Sequence, residues 1–256
     1  MNQERSNASR RFAIALSAGL ILGVSAPTLA QDWIGPTPMD YANMTMNTTN
    51  TAIMNYQIER MTGADKLKSR SRSKTTTSSP SRTVSVATYT YKATDAQKAS
   101  ILNGYIQSVA KTNASLAAKL REQFTKYRYD AIFNGLLSGT GLATNNLADV
   151  LAAYTVQSWM IVNNKQTDLS SAQIAGVRQQ WANALADTKL ANDASARTVN
   201  AEELKIRTVL LNAGWKDAMK VGGLPAYASL VDKAFRSLFK LDLTSLAITS
   251  AGLAKK

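Results

Sequence analysis

Neither histidine nor cysteine occurs in the 256 residues, and this removes most of the usual catalytic groups at once. No Ser-His-Asp or Cys-His nucleophile can be assembled. An imidazole-ligated zinc site and imidazole acid–base work near neutral pH are excluded as well. Carboxylates, Ser–Lys pairs and thioethers remain. Ser71 to Lys74 and Ser237 to Lys240 have the S-x-x-K spacing. The first lies in a polar low-complexity run, and the second has no S-D-N or K-T-G string after it. Both read as chance.

Beyond residue 30 the glutamates are Glu59, Glu122, Glu202 and Glu203. Glu202 and Glu203 are expected in the first turn of a helix, where a carboxylate complements the macrodipole. Glu122 is expected on a solvated face. A glycan hydrolase needs one carboxyl in an apolar pocket that raises its pKa. Asp149 is the one charge between Asp130 and Lys165, which makes it the candidate catalytic carboxylate. Its plainer reading is a polar contact within a bundle, or a place on an exposed helix edge. Met39, Met44, Met46, Met54 and Met61 are five of the eight methionines. Thioethers are soft ligands suited to Cu(I), so Met39, Met44 and Met46 are the candidate metal ligands. As gap-filling side chains they need no metal. No cofactor motif occurs, and no cofactor is expected.

The first 30 residues have the layout of a secretory signal. Arg5, Arg10 and Arg11 precede an uncharged run from Phe12 to Ala26, and Thr28-Leu29-Ala30 offers small residues at a cleavage site. Cleavage before Gln31 is expected, with a periplasmic or secreted product. From Gln31 onward 27 Lys and Arg face 16 Asp and Glu, a net charge of +11. Much of that charge is concentrated in Lys66, Lys68, Arg70, Arg72, Lys74 and Arg82, the candidate anionic-surface-binding residues. Their expected partners are lipid headgroups, lipopolysaccharide or wall polymers, or an envelope protein. Nucleic acid is disfavoured by the compartment and by the lack of interleaved aromatics in the run.

The chain divides by composition into four parts. Residues 1–30 are the signal, and 31–63 are a Met/Asn/Thr-rich segment with room for one short helix. Residues 64–92 are a basic low-complexity linker, too poor in apolar side chains to order itself. It ends in the β-prone TVSVATYTYK, expected to lie extended over the surface. Residues 93–256 show helical periodicity. Thr94 with Gln97, Ser170 with Gln173 and Asn200 with Glu203 are spaced as capping boxes. Asn146 is placed to cap an apolar helix that runs to Val162. That segment is too short to cross a bilayer and apolar all round, as a buried central helix should be. Asp232 and Arg236 are expected as an exposed i,i+4 pair, and the mildly apolar tail from Leu241 to Lys256 is expected to pack back before fraying.

The expected fold is therefore all-α, a single bundle of six or seven helices preceded by a signal peptide and a disordered basic linker, with no membrane span after the signal. The expected function is that of a non-enzymatic envelope protein, a binding or accessory module. A carboxylate-based glycan hydrolase and a Met-rich copper-binding periplasmic protein are the alternatives.

Overall fold

The computed structural model describes residues 84–256. The signal sequence, Met39, Met44, Met46 and the basic run from Lys66 to Arg82 lie outside the described residues. The described part is mostly helical, as the periodicity implies. Its elements are α1 (Asp95–Ala110), α2 (Ala114–Lys126), α3 (Tyr129–Leu136), α4 (Leu147–Val162), α5 (Ser171–Leu185), the single turn α6 (Lys189–Asn192), α7 (Ala194–Lys220) and α8 (Leu224–Phe239). A hairpin of β1 (Leu246–Thr249) and β2 (Gly252–Lys255) follows. Among the described residues no helix is long and apolar enough to cross a membrane.

Local chemistry sets most helix starts. Thr94 and Ser170 form full capping boxes with Gln97 and Gln173. Asn113, Asn146, Thr188 and Asp193 each accept a backbone N–H in the first turn of α2, α4, α6 and α7, which satisfies donors that a helix start leaves orphaned. Pro225 sits in the first turn of α8, where its missing N–H costs nothing. One expected start is absent. Asn200 and Glu203 do not cap a helix, because α7 already begins at Ala194 and runs through them. Asn200 instead donates its amide back to Ala196 O, 2.8 Å away.

Helix α4 is the centre of the bundle. Every residue from Leu147 to Ile161 is buried, and α5, α7 and α8 pack around it. Its Tyr154 stacks on Phe235 of α8 with centroids 6.0 Å apart. Phe239 meets both Tyr154 and Trp181 at 5.9 and 5.2 Å, and the Trp181 indole donates to Thr155 Oγ1 at 3.0 Å. Asp232 is not on an exposed face. It is buried, accepting from Arg236 at 2.7 Å and from the Leu243 N–H at 3.2 Å, so the pair anchors the chain leaving α8.

Two non-helical segments flank α5, and its carboxamides hold both by the backbone. In the hairpin, Ile248 lies opposite Leu253. Gln180 accepts from the Leu253 N–H at 2.8 Å and donates to its carbonyl at 3.1 Å, and Gln173 donates to Ile248 O at 2.9 Å. The tail is thus a fixed sheet whose edge groups are partly covered. In the segment before α1, Asn183 accepts from the Val84 N–H at 3.2 Å and Gln179 donates to its carbonyl at 2.9 Å. This strap carries a 3₁₀ turn, Val86–Tyr89. It does not lie loosely over the surface, for Tyr89 and Tyr91 are buried. Tyr89 OH donates to Ala182 O at 2.7 Å.

Close approach of the hairpin to α5 depends on Gly176. A Cβ there would collide with Ser250 O and come within 2.6 Å of Gly252 N, both backbone atoms. Gly104, mid-way along α1, is exposed and has nothing within 4 Å of such a Cβ. Gly176→Ala is therefore expected to destabilise by about 1–3 kcal/mol, and Gly104→Ala to stabilise by about 0.5–1 kcal/mol. Urea unfolding midpoints of the two variants check this, and similar midpoints would contradict the packing described.

Candidate functional site

The densest collection of ionisable side chains lies where the strap, α1, α3 and α7 converge. Glu202, on α7, is fully buried. Its Oε1 accepts from Tyr91 OH at 2.8 Å and from the Lys205 ammonium at 2.6 Å, and its Oε2 accepts from Tyr129 OH at 2.7 Å. Lys205 lies one turn along the same helix and is almost as deeply buried. Its ammonium sits over the rings of Tyr91 and Phe133, 5.2 and 5.8 Å from their centroids. Ring faces attract a cation and supply what a single carboxylate leaves unmet. Tyr91 OH also approaches Thr144 O at 3.1 Å.

Closer to the surface, Lys98 of α1 donates to Asp130 of α3 at 3.0 Å. Arg128 grips the same carboxylate through Nε and Nη2, at 3.1 and 2.8 Å to its two oxygens. These cations hold the Asp130 carboxyl far below the usual carboxylate range. Burial, reinforced by the neighbouring Glu202 carboxylate, raises both tyrosine hydroxyls well above the ordinary phenol value. Burial lowers the Lys205 ammonium, opposed by its bond to Glu202.

This arrangement does structural work. A general base needs a free lone pair within reach of a substrate proton, whereas both Glu202 oxygens carry short charge-assisted bonds and no solvent reaches them. The phenols are held protonated as donors. Glu202 and Glu203 are therefore not first-turn residues balancing a macrodipole. Glu202 is the buried acceptor of a four-residue cluster, and burial raises the Glu203 carboxyl, with Arg207 opposing. The signal for this is present in the sequence. From Ala201 to Trp215 charges at 202, 203, 205 and 207 fall among Leu204, Ile206, Val209, Leu210 and Leu211, so no polar face exists and some charges must be inside.

Asp149, the carboxylate singled out by its isolation, occupies the first turn of α4 and is 3 % exposed. Its backbone N–H bonds to the capping Asn146, and its Oδ2 accepts from the Ala143 N–H at 3.2 Å. Arg178 Nε stands 3.7 Å from Oδ1, an ion-pair contact beyond hydrogen-bond length. Burial raises this carboxyl above its ordinary value, with the Ala143 N–H and Arg178 opposing. The other candidates stay apart. Glu122 is exposed and paired with Lys126 at 2.8 Å, and the Lys240 ammonium bonds Ser237 O at 3.1 Å instead of its hydroxyl. Among the described residues no group of three acidic side chains could hold a metal ion.

Glu202→Leu leaves the Lys205 ammonium buried without its counter-charge and should cost about 3–5 kcal/mol, while adding Lys205→Met should recover much of that loss. Denaturant unfolding of the single and double variants is the check, and equal losses would show that the pair is not coupled. For Asp149 the raised value means that the folded state binds its proton more readily than the unfolded chain. Its ionisation therefore removes stability as pH rises from the unfolded value, about 3.9, through the raised folded value. The stability of the natural chain minus that of Asp149→Asn should be greatest at the acid end of this window and fall across it. A difference that grows with pH would mean that the Arg178 contact outweighs desolvation.

The chain matches no known family model, no curated protein and no solved structure.

Proposed function

We propose that the protein is an exported, non-enzymatic helical module, held at anionic envelope polymers by the basic arm Lys66, Lys68, Arg70, Arg72, Lys74 and Arg82. The observation that carries this reading is the use to which the body puts its carboxylates. Glu202 is saturated by three donors. Asp130, Glu122, Asp232 and Asp242 are each in an ion pair. Negative charge in the body is thus largely engaged in holding elements together, while the arm has six cations between residues 66 and 82 and no acidic residue among them. Charge of one sign on a polar, apolar-poor segment suits a diffuse anionic surface better than a shaped ligand. The rival, a glycan-acting hydrolase, would rest on Asp149, a buried carboxyl of raised pKa, but that group faces Arg178 and the Ala143 N–H. Copper binding would fall to Met39, Met44 and Met46, and no contact of the described body bears on it.

The test is binding of the mature chain to vesicles of phosphatidylcholine with and without phosphatidylglycerol. Affinity for the anionic vesicles should fall steeply between low and physiological salt, since exposed charges are screened over about 8 Å there. Replacing Lys66, Lys68, Arg70, Arg72 and Lys74 by Ser should weaken binding at least about a hundredfold and leave the unfolding midpoint unchanged. Affinity that survives both the substitutions and high salt would overturn the arm reading.

A further inference from the structure

At one end of the bundle, cations are positioned by neutral groups. Asn163, just past α4, donates to Leu243 O at 3.1 Å and so draws the segment after α8 against the end of α4. The chain returns there after β2, and the Lys256 N–H bonds Ser245 O at 3.0 Å. The Lys256 ammonium donates to Asn163 Oδ1 at 2.7 Å and to Thr244 O at 2.6 Å. Both acceptors are uncharged side-chain or backbone oxygens, so these bonds fix the cation in place without neutralising it. Lys255 is its neighbour, Lys165 lies two residues beyond Asn163, and both are exposed. Lys240, also exposed, ends α8 three residues before Leu243, its ammonium on the carbonyl of Ser237.

The side-chain carboxylates of this end are few. Asp232 and Asp242 both bind Arg236 at 2.7 Å, and Asp168 is half-buried in the loop before α5. These lysines come from the ends of three different elements and are point charges without the planar fork that reads a discrete phosphate. No large apolar side chain is exposed here, Val221 being the one such residue among the described residues. From this, and resting on the reading of the protein as electrostatically held, we infer that the end face bearing Lys165, Lys240, Lys255 and Lys256 is a second contact surface for an anionic phospholipid bilayer. With the arm, it makes attachment bivalent, so that each contact raises the effective concentration of the other.

The experiment uses the mature chain and vesicles of mixed phosphatidylcholine and phosphatidylglycerol. Lys165→Gln, Lys255→Gln and Lys256→Gln are introduced together, in the natural chain and in the chain whose arm lysines and arginines are Ser. A control removes an equal charge at the α1–α2 corner, through Lys111→Gln, Lys119→Gln and Arg121→Gln. In both backgrounds the end-face triple should weaken binding at least about tenfold, and the corner triple by less than about threefold. Equal effects of the two triples, or no effect of the end-face triple in either background, overturn the inference. The arm reading is judged separately, since it fails when the arm substitutions alone leave affinity unchanged.

Discussion

A single buried negative charge organises the N-terminal half of the described body. Removing a carboxylate from water costs several kcal/mol even after relaxation, and Glu202 is tolerable only because three donors arrive together. They come from places far apart in sequence: Tyr91 in the strap, Tyr129 at the start of α3 and Lys205 on α7 itself. Lys205 in turn needs the ring faces of Tyr91 and Phe133. No one of these segments can be displaced without stranding a charge. An apolar core tolerates small slides of one element over another, whereas a saturated carboxylate defines one register for three segments.

Helix α5 solves a different difficulty by related means. A short hairpin and an extended strap both present backbone groups that a helical body has no sheet to receive, and orphaned peptide groups are expensive. Gln180, Gln173, Gln179 and Asn183 supply amide donors and acceptors from side chains, taking the place of neighbouring strands. Gly176 completes the arrangement by letting the hairpin backbone lie against the helix. The hairpin that ends in Lys255 is held against α5 by this packing.

The local grammar of the fold was legible in the sequence. Thr94, Ser170 and Asn146 announce their helices, and the featureless apolar run of α4 announces its burial. What the sequence concealed was tertiary. Asn200-x-x-Glu203 has the spacing of a capping box, but Asp193 caps first and packing against α4 carries the helix through. Asp232–Arg236 has the spacing of a surface pair, and only the return of Leu243 buries it. Of the β-prone TVSVATYTYK, the described residues form a 3₁₀ turn and a single bridge from Thr90 to Asn146 instead of a strand, with Tyr89 and Tyr91 bonded inward to Ala182 and Glu202. In each case a local preference is satisfied by several conformations, and long-range contacts choose among them. The Glu202 cluster was half visible, as charges on a helix without a polar face. Its two tyrosines were not, since nothing in their own neighbourhoods marks them as partners.

The docking of the strap has a consequence for how the molecule comes to be folded. Tyr91 is separated from Glu202 by 111 residues, and Val84 from Asn183 by 99. Loops of that length cost more entropy to close than those joining α1 to α2 or α4 to α5. On a chain made amino end first, the strap is among the earliest parts of the described body to emerge. Its receptor does not exist until α7 has followed. For that interval Tyr91 is without the carboxylate that receives its hydroxyl in the folded chain. The clasp of the strap onto α5 and α7 is thus the contact of this body that closes the longest loops, 99 and 111 residues.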